Sequence, residues 1–169
     1  NDTIILGEGH DIAFGGALGD FIEGNEGQDL ILGDFGLYDA NVEFLIYQMF
    51  ESYIDYSEFA GPDIINGGAD DDILMGQEFD DVIEGGTGND DIYGGHHKRF
   101  GRDSNDALSG GPDADVILGD NGEILRETQR NKTEYPWTVH EWEPYLAPYG
   151  DEMIRDIRRY DDIDGVQSP

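Results

Sequence analysis

The 169-residue chain has no cysteine, which excludes disulfide bridges, thiolate metal sites and cysteine nucleophiles together. Cations are almost as scarce, with nine Lys and Arg against thirty-nine Asp and Glu and a formal charge of −30 at pH 7. Such a surface repels nucleic acid and anionic membrane alike, so neither is an expected partner. The deficit is uneven: residues 1–97 hold twenty-three carboxylates and no Lys or Arg, and that stretch needs metal cations or a basic partner. No apolar run approaches the roughly eighteen residues of a membrane-spanning helix, which argues against membrane insertion. Nor is there a Ser-His-Asp grouping, an HExxH or a phosphate-binding glycine loop, so the chain reads as something other than an enzyme.

Glycine is abundant, at 25 residues, and so many acids beside it would favour disorder. Eight Phe, nine Tyr and two Trp, with many Ile and Leu, argue instead that part of the chain packs. Internal repetition shows how. Asp2, Asp11, Asp20 and Asp29 recur every nine residues, the period resumes at Asp63, Asp72, Asp81 and Asp90, and it returns at Asp106 and Asp115. Two residues after each stands Ile4, Ala13, Ile22, Ile31, Ile65, Leu74, Ile83, Ile92, Leu108 or Ile117. Glycines precede the Asp, most completely in GGTGNDDIYGG, where Gly85, Gly86 and Gly88 lead into Asp90. Turn chemistry alone would not hold Asp and Ile in register ten times. Glycine admits positive φ and lets carbonyls crowd a cation, and Asp offers the hard oxygen that calcium prefers. A three-residue strand with one inward Ile buries no core by itself, so stability must come from stacking.

Over about 1–36 and 61–122 this pattern resembles the RTX (hemolysin-type) calcium-binding nonapeptide, GGxGxDxUx. The resemblance implies an all-β fold, a parallel β-roll (right-handed β-solenoid) of about ten nonapeptides. In it the glycine-rich part turns, xUx forms a strand, and two nonapeptides complete a coil. It implies Ca2+ between loops stacked on one side, with Asp2, Asp11, Asp20, Asp29, Asp63, Asp72, Asp81, Asp90, Asp106 and Asp115 as ligands. Gly9, Gly27, Gly61, Gly86 and Gly88 would shape the same sites. Five loops on each side leave four gaps per side, so about eight ions are the upper expectation. The fourth motif position departs from Gly at Leu18, Asp70, Phe79, Ser104 and Asp113. Those loops are expected to be distorted, unless Asp70 and Asp113 add a carboxylate. GDFG (33–36) and GDNG (119–122) read as half-loops from which the chain leaves the roll.

The sequence therefore divides into a first half-roll (1–36), an insertion (37–60) that is a hairpin or a helix packed on the roll, a second half-roll (61–122) with an insertion near 96–103, and an extension (123–169). In the extension, EILRETQRNKTEY alternates weakly like an extended arm, while Pro136, Pro144 and Pro148 hold an aromatic segment with Trp137 and Trp142. Residues 151–163 read as a short helix, with Met153, Ile154, Ile157 and Tyr160 on one side. His96 and His97, in HHKRFGR, are expected to be solvated. Trp137 and Trp142 are expected to pack on the roll rather than form a sugar platform. Glu141 with Glu143 is not read as a glycosidase acid pair, and Asp161 to Gly165 lacks the spacing of an EF-hand loop.

Outward-facing positions differ between alternate strands. Ile12, Phe14, Leu30, Leu32, Ile73, Met75, Asp91, Tyr93, Val116 and Leu118 make one outer face apolar, whereas the other carries Thr3, Glu23, Asn66, Glu84 and Ser109. A bare apolar face would aggregate, so the insertion, the tail or a neighbouring subunit should cover it, with Phe44, Ile46 or Trp137 as candidates. The expected function is an extracellular calcium-binding structural module whose folding and metal binding are one event. Self-association, end to end or through the apolar outer sheet, would make it a fibre, sheath or adhesin block. A carbohydrate- or surface-binding module acting through the Trp-rich tail is the alternative.

Overall fold

A computed structural model describes residues 1–38, 50–52, 58–97, 101–102, 104–127 and 154–159. Among these the chain is all-β. Ten short strands stack as two parallel five-stranded sheets. The first contains β1 (Thr3–Glu8), β3 (Phe21–Glu26), β7 (Ile64–Ala69), β9 (Val82–Thr87) and β11 (Ala107–Ser109), in that spatial order. The second contains β2 (Ile12–Phe14), β4 (Leu30–Leu32), β8 (Ile73–Met75), β10 (Asp91–Tyr93) and β12 (Val116–Leu118), also in the order of the coils. The register keeps the repeat intact, pairing Ile4 with Ile22, Ile22 with Ile65 and Ile65 with Ile83 in one sheet. In the other, Ala13 pairs with Ile31, Ile31 with Leu74 and Leu74 with Ile92.

These residues meet in the interior, where Ala13, Ile22, Ile31, Ile65, Leu74, Ile83 and Ile92 form one core and Ile4, Leu6 and Leu108 pack against it. Each fully buried Ile or Leu contributes about 1.5–3 kcal/mol of transfer free energy, and none is buried without its neighbours in adjacent coils. Ile117, at the edge of the second sheet, is 42% exposed because no further coil covers it.

The outer faces differ as the side-chain alternation requires. Outside the second sheet, Leu30, Leu32, Ile73, Met75, Tyr93 and Leu118 form a second buried cluster with Ile124, against which Ile12, Phe14, Tyr38 and Val116 pack. The cover belongs to the same chain: Tyr38 lies at the start of the insertion, and Ile124 donates its N–H to the Tyr93 hydroxyl at 3.0 Å. Phe44, Ile46 and Trp137 lie outside the described residues. Ile12, Phe14 and Val116, at the two ends of this face, stay half-buried.

β5 (Gly36–Tyr38) pairs antiparallel with β6 (Phe50–Ser52), so the base of the insertion is a two-stranded ladder. After the roll, β13 (Gly122–Glu127) pairs antiparallel with β14 (Ile154–Arg159). The helix expected over 151–163 is therefore corrected: its central residues are a strand. The register sets Glu123 opposite Arg158 and Ile124 opposite Ile157. Partners 27 to 37 residues away decide the conformation over a local pattern that suits either state, since helical propensity is a weak prior beside tertiary pairing.

Candidate metal centre

The repeating Asp residues form two rows along the roll, one at each turn between the sheets. In the first, Asp20 Oδ1 accepts the N–H of Asp2, Asp63 Oδ1 that of Asp20 at 2.7 Å, Asp81 Oδ1 that of Asp63 at 2.7 Å, and Asp106 Oδ1 that of Asp81 at 2.9 Å. In the second the same bond runs from Asp11 to Asp29, Asp29 to Asp72, Asp72 to Asp90 and Asp90 to Asp115, at 2.9, 2.8, 2.9 and 3.1 Å. The sequence separations are 18, 43 or 25 residues. The insertions thus add 25 and 7 residues without breaking either row.

Beyond the row heads Asp2 and Asp11, one oxygen of each carboxylate is used in this way, and the other points elsewhere. Oδ2 of Asp20, Asp29, Asp63 and Asp81 is buried with no hydrogen-bond partner. The site it faces is floored by the first glycine of a loop: a Cβ on Gly15, Gly24, Gly33 or Gly76 would collide with Oδ2 of Asp20, Asp29, Asp63 or Asp81, and with the carbonyl oxygen of Gly33, Gly67, Gly76 or Gly94 in the next coil. Gly67, Gly85, Gly94 and Gly110 stand in the same relation to Asp72, Asp90, Asp106 and Asp115. Apart from Gly85, these first-position glycines were not among the residues singled out from sequence, although they recur five residues before Asp20, Asp29, Asp72, Asp81, Asp90 and Asp115.

Packing carboxylates without a counter-ion is expensive, and the proton affinities register it. Burial, reinforced by the charge of Asp20, pushes Asp63 up to about 7. Burial and the charges of Asp63, Asp106 and Asp34 push Asp81 up to about 9. In the second row burial and Asp11 raise Asp29 to about 6. Among the described residues no three acidic or imidazole side chains converge on a point. A cation in these rows must therefore take much of its coordination from backbone carbonyls and water, which suits a hard ion with six to eight oxygen ligands.

Asp2 heads its row and is exposed, and Asp11 heads the other and is half-buried. Gly9, Gly27, Gly86 and Gly88 take φ of 122°, 117°, 117° and 133°. A Cβ on Gly27 would strike the carbonyl of Gly9, one on Gly86 that of Gly68, one on Gly88 that of Asp70, and one on Gly61 the backbone of Leu18 and Gly19. Of the five residues that replace glycine at the fourth position, Leu18, Asp70, Phe79 and Asp113 keep a positive φ, at 71°, 77°, 72° and 84°, below the 117–133° of Gly9, Gly27 and Gly88. The side chains of Asp70 and Asp113 are exposed rather than buried in the rows.

Where the chain leaves the roll, side chains stand in for backbone. Asp34 Oδ1 accepts the N–H of Gly61 at 3.1 Å, closing the neck of the insertion. Gln77 Oε1 accepts the N–H of Asp34, and Asn121 Oδ1 that of His96 at 2.6 Å. Asp34 is fully buried, and burial with the charges of Asp63 and Glu78 raises it to about 8. His96 and His97 are buried, not solvated: the His96 ring lies against Gly101 with Nε2 3.5 Å from the buried Glu78 carboxylate. Trp137, Trp142, Glu141 and Glu143 lie outside the described residues.

Comparison with known proteins agrees with this geometry. A family model described as the RTX calcium-binding nonapeptide repeat (4 copies) matches residues 1–22, 7–36, 60–81, 66–96 and 100–123. No curated protein and no solved structure matches the chain.

Proposed function

Because the chain belongs to the family of RTX calcium-binding nonapeptide repeats, we propose that it is an extracellular structural module whose folding is driven by Ca2+ entering the two carboxylate rows. The family repeat is a calcium-binding structural element rather than a catalytic one. The observation that carries the proposal is the set of buried, unpartnered Oδ2 atoms of Asp20, Asp29, Asp63 and Asp81, each over a glycine floor. Calcium supplies the positive charge that makes ionised carboxylates tolerable in that position. The chain's part is to stack one Asp above the next, to hold each by the N–H of its neighbour, and to keep the floor free of side chains.

Without the ion, the like charges raise the free energy of the stacked state while a glycine-rich chain gives up large conformational entropy on ordering. Ligand binding to the folded state alone then decides the equilibrium, in proportion to the logarithm of calcium over its dissociation constant. Four gaps in each row hold up to about eight ions, which would bring the formal charge from −30 to −14. A module with this dependence suits an exterior where calcium is plentiful, reached by a chain that stays unfolded until it arrives. Circular dichroism with calorimetry tests this: calcium should convert coil to β signal, chelator should reverse it, and an unchanged folded spectrum in excess chelator would refute the proposal.

A further inference from the structure

Two apolar rows run side by side across three successive coils on the outside of the first sheet. Phe21, Ile64 and Val82 are register partners on β3, β7 and β9 and stay 38%, 49% and 49% exposed. Beside them, on the turns leading into those strands, stand Leu18, Phe59 and Phe79 at 56%, 52% and 47%. Leu18 bridges to Ala60 and donates its N–H to the carbonyl of Phe59, which joins the first two coils of this second row.

Leu18 and Phe79 occupy the fourth motif position with φ of 71° and 72°. A bulky L-residue is disfavoured in that region, and glycine would be free of the penalty. The chain thus keeps two strained, exposed hydrophobic side chains where its own repeat elsewhere uses Gly9, Gly27 and Gly88. Strain of this kind persists where a feature has a use.

The rim of the patch is acidic on both sides. Glu23 and Glu84 border it along the strands, the exposed Glu58 and Asp80 border it along the turns, and residues 1–97 contain no Lys or Arg to offset them. Beyond Glu23 the face continues into a groove lined by Glu8, Glu23, Glu26, Asn25 and Asn66. A second copy meeting it face to face would set this acidic rim against itself, and an anionic lipid surface would be repelled in the same way. We propose that this face docks a segment of a partner protein that presents apolar side chains flanked by Lys or Arg. The apolar side chains lie over the two rows while the cations meet the rim.

The test uses the calcium-loaded full chain and two synthetic peptides, one with four leucines flanked by lysines on each side and one with serine in place of each leucine. Fluorescence anisotropy should show the leucine peptide binding at least tenfold more tightly than the serine peptide. Leu18→Gly with Phe79→Gly restores the motif glycine, so it should leave the calcium-induced dichroism intact while weakening the leucine peptide at least tenfold. Glu23→Gln with Glu84→Gln should weaken it further and flatten its salt dependence. Equal binding of the two peptides, or a double-glycine variant that binds the leucine peptide as well as the parent, would overturn the proposal. Concentration-dependent sedimentation of the chain alone, abolished by the double-glycine change, would overturn it in favour of a second copy.

Discussion

On the outside of the β2–β12 sheet, Leu30, Leu32, Ile73 and Met75 are at most 3% exposed, whereas Phe21, Ile64 and Val82 on the opposite sheet keep 38–49%. Both sheets are made of one nonapeptide, share one interior and carry the same Asp rows at their turns. Their exteriors diverge because of where the repeat is interrupted. The insertion begins just after β4, the HHKRFGR excursion just after β10 and the extension just after β12, all of them strands of the second sheet. Tyr38 of the insertion and Ile124 of the extension pack over the sheet that their segments have left. A repeat thus dictates what faces inward, and its interruptions dictate which outer face is protected.

The largest expected effect tests that cover. Leu32→Asp with Met75→Asp places two charges in a face that is fully buried, at a cost of about 4 kcal/mol or more, and should abolish the β signal even in excess calcium. The matched pair Ile64→Asp with Val82→Asp lies on the open face and should shift the thermal midpoint by only a few degrees. Comparable losses from both pairs would mean that the two exteriors are equally covered and the contrast is false.

The rows, unlike the faces, are common to both sheets, so Asp63→Ala in one and Asp72→Ala in the other should weaken calcium-induced folding alike, by about tenfold or more in the midpoint, roughly 1.4 kcal/mol. Asp2→Ala, at the exposed head of its row, should cost much less. Isothermal titration of the three variants distinguishes an interior row from its end.

A smaller effect is expected on the glycine floor. Gly76→Ala and Gly85→Ala drive a methyl group into the carboxylates of Asp81 and Asp90, while a Cβ on Gly119 meets nothing within 4 Å. Overpacking of this kind costs about 1–3 kcal/mol, so the first two variants should need more calcium to fold and Gly119→Ala should behave as the parent.

The smallest effect is in pH. Asp29, Asp63 and Asp81 have folded-state values raised from 3.8 to about 6, 7 and 9. A raised carboxylate adds stability that is complete below its unfolded value and is lost as pH rises through the folded one. Any residual structure in chelator should therefore strengthen as pH falls from 9 toward 4. In calcium the sign reverses, because protons compete with the ion, and the calcium midpoint should rise as pH falls over that range. The drift should be steeper for a variant keeping only the first row than for one keeping only the second.

Much of this was legible in the amino acids. Position six and position eight of the nonapeptide named the Asp rows and the inward Ile and Leu, because a strict period of nine leaves one stacking in which both repeat in register. The sequence also marked the apolar exterior of the second sheet, although not what would cover it. It did not separate helix from strand over 154–159, because Ile154 and Ile157 suit either state locally and the partner Gly122–Glu127 lies far away in the chain. Nor did it reveal that Asp34, Gln77 and Asn121 replace backbone acceptors, since their role exists only where an excursion breaks the ladder. Local chemistry repeated at a fixed interval determines the coil, its core and its oxygen rows. Which exterior is sealed, and which polar side chains are buried to seal it, depends on contacts between residues that only the folded chain brings together.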